Sequence, residues 1–113
     1  MSARNLLSKA PPYAVEQAIK RLGANLRTAR LRRNLTIEEV ARKIGTGPRA
    51  IMDAEKGKPS TSIAAYTALL WTYDLLGPFG DLADPARDEE GMILERASGR
   101  VRARSARELD NDF

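Results

Sequence analysis

A chain of 113 residues, 42% apolar and 30% charged, is long enough for one compact domain and short for two. With no cysteine and no histidine it has no disulfide, no thiolate metal site, and neither the commonest general base nor the commonest zinc ligand. Its net charge of +4 is uneven: residues 1–60 hold 13 Lys and Arg against 5 Asp and Glu, and residues 61–113 hold 6 against 10.

Positive charge gathered in the first half is what a phosphate-binding surface needs, because neutralising phosphates releases counterions, although a merely solvated face has the same composition. No run of about 18 apolar residues offers a membrane span, and the opening MSARNLLSKAPPY lacks a leader's long apolar stretch. The expectation is a soluble, cytoplasmic protein with no membrane partner, no metal and no cofactor. Without a Gly-rich phosphate loop after a strand or a nucleophile-bearing turn, an enzyme is the least favoured class.

Residues 1–12 include Arg4, Lys9, Pro11 and Pro12 and keep no period. They read as a flexible N-terminal arm, either a free end or one that reaches DNA. From 13 to 33, Val15, Ile19, Leu22, Leu26 and Ala29 step by four, three, four and three, which is one inward stripe of a helix. Lys20, Arg21, Arg27, Arg30, Arg32 and Arg33 occupy its other faces, and Asn34 suits a left-handed stop. Gly23 interrupts this helix at a cost of about 1 kcal/mol against alanine, unless a neighbouring helix comes close to it.

The stretch LTIEEVARKIGTGPRAIMDAEKGKP, residues 35–59, is the centre of the reading. Thr36 and Glu39 form a T-x-x-E capping box that starts a helix at Ile37, whose inward face is Val40, Ala41 and Ile44. Gly45-Thr46-Gly47 is a tight turn, and Pro48 opens a second helix with Ile51, Ala54 and Glu55 on one face, stopped by Gly57. Two short helices around such a turn look like a helix-turn-helix reader of DNA, the second being the recognition helix.

A Ser/Thr cluster at 60–62 caps a further helix that is expected to run to Leu76 and to turn Ile63, Tyr66, Leu69, Leu70 and Tyr73 inward, with Gly77 as its end. Trp71 lies off this stripe, as an aromatic at the domain edge or a hot spot for a partner. Residues 13–77 thus form one four-helix domain.

Residues 78–97 read as an acidic helical extension: from 74 to 95 there are seven acids and one base, Arg87. Asp84 before Pro85 resembles a cap opening a helix from Ala86 to about Ala97, so one or two short helices are expected. Asp88, Glu89 and Glu90 suit a first helical turn, and chemistry at that cluster is the alternative. Leu82, Met92, Ile93 and Leu94 supply apolar surface. Residues 98–113 form a basic tail, expected to be mobile, in which Arg100, Arg102, Arg104 and Arg107 can steer toward an acidic surface.

These residues resemble the XRE-type helix-turn-helix family, which includes the lambda and 434 phage repressors. The resemblance runs from Leu22 to Gly77 and is carried by Arg30, Leu35-Thr36, Glu39, Val40, Ala41, Ile44-Gly45, Ile51, the run Glu55-Lys56-Gly57-Lys58-Pro59 and the helix after it. It implies an all-α, lambda repressor-like domain of four main helices, a structural ion pair between Arg30 and Glu55, and double-stranded DNA as partner. The DNA-facing positions it implies are Thr46, Gly47, Pro48, Arg49, Met52, Asp53, Lys56 and Lys58. Among these Arg49 is the guanine reader, Asp53 either accepts from cytosine or repels phosphate, and Lys56 and Lys58 lie near the backbone. Ile37 stands where a phosphate-contacting glutamine is common, and Pro48 stands at a polar base-reading position.

Past the domain, SIAAYTALLWTYDLLGPFGDLADPARDEEGMILER is similar to HipB-type antitoxins of toxin–antitoxin modules. That resemblance implies a homodimer on an inverted-repeat operator, autorepression, and neutralisation of a HipA-like serine/threonine kinase toxin. Trp71, Leu82, Met92, Arg100, Arg102 and Arg104 are the candidate partner contacts. The alternatives are a stand-alone phage-type repressor with no toxin, and an adaptor that has lost DNA binding.

Overall fold

The computed structural model describes residues 3–99, with side chains from residue 6 onward. Among them the order is α1 (Ala3–Lys9), α2 (Tyr13–Arg32), α3 (Ile37–Ile44), α4 (Pro48–Glu55), α5 (Ile63–Thr72), α6 (Gly77–Gly80), one 3-10 turn (Pro85–Arg87) and α7 (residues 89–99), with no strand. The fold is all-α, and α2 to α5 follow the order of a lambda repressor-like domain. None of the described helices is long and apolar enough to cross a membrane.

Local chemistry sets most of the helix ends. Thr36 Oγ1 accepts the Glu39 N–H and the Glu39 carboxylate accepts the Thr36 N–H, both at 3.1 Å, so the capping box that starts α3 is closed on both sides. α3 ends on Gly45 at φ 83°, where an added Cβ would meet nothing; the left-handed backbone alone asks for glycine. α2, α4 and α5 end alike, each with a left-handed residue just past the cap: Asn34, Gly57 and Asp74. In each the next residue donates back to the last turn, Leu35 to Arg30 O, Lys58 to Asp53 O and Leu75 to Leu70 O, which satisfies carbonyls a helix end leaves open.

α2 packs on α4, α3 on α4 and α5, and α4 on α5. The core they enclose is Leu26, Ala29, Val40, Ala41, Ile51, Ala54, Tyr66, Leu69 and Tyr73, flanked by Ile19, Leu22, Leu35, Ile37, Ile44 and Leu70. α2 and α4 can approach because both lack a side chain where they meet. A Cβ on Gly23 would lie 2.5 Å from Ala54 O, and one on Gly57 would collide with the backbone of Ile19 and Lys20. The glycine that weakens α2 as an isolated helix is therefore what lets it dock.

Arg33 fastens α2 to the end of α5. Its guanidinium donates to Ala29 O at 2.9 Å and to Tyr73 O at 3.0 Å, and stands 5.4 Å from the Tyr73 ring centroid.

The described residues fall into two compact units, divided between Phe79 and Gly80. In the second, Asp84 Oδ1 accepts the Ala86 N–H and starts the 3-10 turn, and Asp88 Oδ1 accepts the Gly91 N–H at the start of α7.

Several expectations are corrected. Residues 3–9 are helical where an arm without period was expected. Val15 is 43% exposed, since α4 meets α2 beside Ile19, Lys20 and Gly23, a turn further on. α5 stops at Thr72, four residues before Leu76, because Asp74 takes the left-handed position that the sequence assigns to Gly77. Ile63 is 64% exposed, to one side of the buried arc Tyr66, Leu69 and Tyr73. The helix after Asp84 is split: its first turn is 3-10, and α7 begins three residues later than Ala86, on the Asp88 cap.

Candidate nucleic-acid interface

α4 is eight residues long and is held on one side only. Ile51 and Ala54 are buried, and Glu55 is tied down by Arg30, whose Nε donates to Glu55 Oε2 at 2.7 Å and whose Nη2 donates to Oε1 at 3.0 Å. The two side chains are 9% and 6% exposed, and Arg30 Nη1 also donates to Leu35 O at 2.9 Å. The Glu55 hydrogen bonds push the Arg30 pKa above its ordinary value, so the guanidinium stays charged. This bidentate pair fixes α4 along its length and in rotation about its axis.

The opposite side of α4 faces solvent. Pro48, Arg49, Met52 and Lys56 are exposed and Asp53 is half-buried, at steps of one, three, one and three along one stripe. Thr46 and Gly47, in the turn before it, are exposed as well. Asp53 Oδ1 lies 3.1 Å from Lys58 Nζ and 3.5 Å from Arg49 Nε, so one carboxylate sits between the two cations. The Arg49 side chain is 78% exposed, and an exposed pair within one helix is worth about 0.3–0.5 kcal/mol, so it is readily given up to a stronger acceptor. Lys58 is positioned through its backbone, where its carbonyl accepts the Tyr66 hydroxyl at 3.0 Å.

Beside α4 lies an open hollow lined by Arg27, Arg30, Ile37, Met52, Glu55 and Lys56. Arg27 and Lys56 bring positive charge to it, and Ile37 and Met52 bring apolar surface. Arg27 is absent from the sequence-derived candidates. The signal available was its position three before Arg30 on α2, which turns both toward α4. Arg33, placed by the sequence on the other faces of α2, is exposed and also engaged by Tyr73 and Ala29.

The partner candidates separate. Trp71 is 61% and Leu82 67% exposed, Met92 is half-buried, and Arg100, Arg102 and Arg104, with Arg107, lie outside the described residues. Asp88, Glu89 and Glu90 form no metal-binding group with other acids among the described residues; Asp88 caps α7.

A family model described as a helix-turn-helix domain matches residues 21–78, just over half of the chain. No curated protein and no solved structure matches.

Proposed function

The chain belongs to the helix-turn-helix domain family, and from that premise we propose that it is a transcriptional regulator that lays α4 in the major groove of duplex DNA. The observation that carries this reading is the division of α4: Ile51, Ala54 and Glu55 lock it to the fold, while Pro48, Arg49, Met52, Asp53 and Lys56 share one outward stripe. Arg49 reads a guanine and Asp53 a neighbouring cytosine amino group. Lys56, Lys58 and Arg27 meet the flanking phosphates. A recognition helix of two turns contacts few bases, so the protein acts as a homodimer on an inverted repeat with half-sites about one helical turn apart.

The finer reading is an antitoxin that neutralises a HipA-like serine/threonine kinase and represses its own operon. It is supported by the resemblance of residues 62–96 and by Leu82, Ile93 and Leu94, each at least 60% exposed, as apolar surface for a second protein. Co-expression with a kinase-like neighbour, with and without residues 96–113, tests it: neutralisation should fall in the truncated chain. A chain with no co-purifying kinase would leave the stand-alone repressor.

DNA binding is tested by selecting bound duplexes from a random pool and then comparing variants on the selected site. Arg49→Ala should lose about 1–3 kcal/mol and relax the preference at one base pair, while Lys58→Ala should weaken all duplexes alike and lower the salt slope by about one. Equal losses on selected and random DNA for Arg49→Ala would refute its role as a base reader.

A further inference from the structure

Met52 shares the outward stripe of α4, one turn past Arg49 and one turn before Lys56, yet it offers no strong hydrogen-bond donor or acceptor. Among the described residues of α3 and α4 it is the one large apolar side chain that is exposed, at 38%. It stands on the side of the stripe toward α2, where it lines an open hollow together with Ile37, Arg27 and Lys56. A single apolar residue on a surface needs no explanation in general. On a surface pressed into a polar groove it does, because it strips water from groups that it leaves without a hydrogen bond.

We propose that Met52 is a specificity-determining residue that reads a thymine through its 5-methyl group, a role that rests on α4 lying in the major groove. The chemistry of that groove selects the occupant. The base edges present hydrogen-bond donors and acceptors, and the thymine methyl is the one apolar substituent among them. Phosphates are drawn instead to Arg27 and Lys56, the exposed cations of the same hollow, which leaves its apolar surface at Met52 and Ile37 for the methyl. Methionine suits the task, since an unbranched and flexible side chain can settle on a methyl group wherever the duplex sets it. Side chains three positions apart on a helix face are about 5–6 Å from each other, and base pairs are stacked about 3.4 Å apart. The thymine therefore lies about one or two base pairs from the guanine that Arg49 reads.

The full chain is titrated with the duplex selected from a random pool and with copies that differ at this base pair alone. Uracil in place of thymine removes the methyl and keeps every donor and acceptor. It should weaken binding about fourfold for each half-site, the effect of uncovering one methyl-sized group. In a duplex with cytosine at that position, 5-methylcytosine should bind about fourfold more tightly than cytosine, because the methyl returns on a different base. Met52→Ala changes an exposed side chain to a good helix former and should keep the circular dichroism of the parent. Its side chain is too short to reach the methyl, so it should bind thymine and uracil duplexes alike, and Met52→Leu should restore the difference.

A parent that binds uracil and thymine duplexes equally overturns the proposal, as does a selected site with no thymine within two base pairs of that guanine. So does a Met52→Ala chain that still prefers thymine, since the methyl then acts through the shape of the duplex. A Met52→Ala chain that keeps the preference while losing affinity for both duplexes equally places Met52 on a sugar and overturns it too. In all of these a duplex is still selected, so α4 remains a reader of DNA while Met52 reads no methyl. A chain that selects no duplex at all refutes both readings together.

Discussion

Removing the carboxylate of Glu55 should cost more than any other single change on α4, although its partner lies 25 positions away. Glu55→Ala deletes the acceptors at 2.7 and 3.0 Å and leaves the Arg30 guanidinium, 9% exposed, with Leu35 O as its remaining hydrogen-bond partner. Breaking a buried pair from one side costs about 3–5 kcal/mol, because the other charge stays buried without compensation. Against a total stability of about 5–15 kcal/mol this brings the domain close to unfolding. At about 4–8 °C per kcal/mol for a domain of this size, the Tm should fall by tens of degrees. The double variant Arg30→Met, Glu55→Leu removes both charges and should be more stable than Glu55→Ala. Urea unfolding followed by circular dichroism on the parent, Arg30→Met, Glu55→Leu and the double gives the coupling directly. If Glu55→Ala costs less than about 1 kcal/mol, the range of exposed pairs, water reaches the pair in solution and the argument from burial is wrong.

Gly23→Ala sets a gain of about 1 kcal/mol in helix propensity against a Cβ 2.5 to 2.8 Å from three backbone atoms, two in α4 and one in Gly57 just past its cap; it should destabilise the domain by about 1–3 kcal/mol in the same urea assay. Thr36→Ala opens the capping box and should cost about 0.5–2 kcal/mol, with the loss of protection in amide exchange concentrated in the first turn of α3. Burial pushes the Tyr66 and Tyr73 phenols above the ordinary tyrosine value of 10.0. The folded chain therefore keeps protons that the unfolded chain gives up first. Their stabilisation is complete below that value and is lost as pH rises through the higher folded values. Thermal melts in buffers stepping up through this range should show a shallower decline for Tyr73→Phe than for the parent, and parallel declines would refute the assignment.

Legibility in the sequence followed distance along the chain. The capping box of Thr36 and Glu39, the turn at Gly45, Pro48 opening α4, and the stops at Asn34 and Gly57 are set by bonds spanning three to five residues, so the residue types at those positions decide them. The outward stripe of α4 could be read for the same reason, since helical period alone separates Arg49 from Ile51. The end of α5 is equally local and was still misplaced, because aspartate takes the left-handed position less often than the glycine three residues on. Other features belong to tertiary structure alone. Ile63 and Tyr66 both fit an apolar helix, and only the positions of α3 and α4 decide which of them is covered. Arg27, Arg30 and Arg33 are the same residue type on one helix and its cap. One rims the hollow beside α4, one is buried against Glu55 and one grips Tyr73, because burial and charge pairing depend on which helices cross there, and a residue's own type carries no record of that crossing.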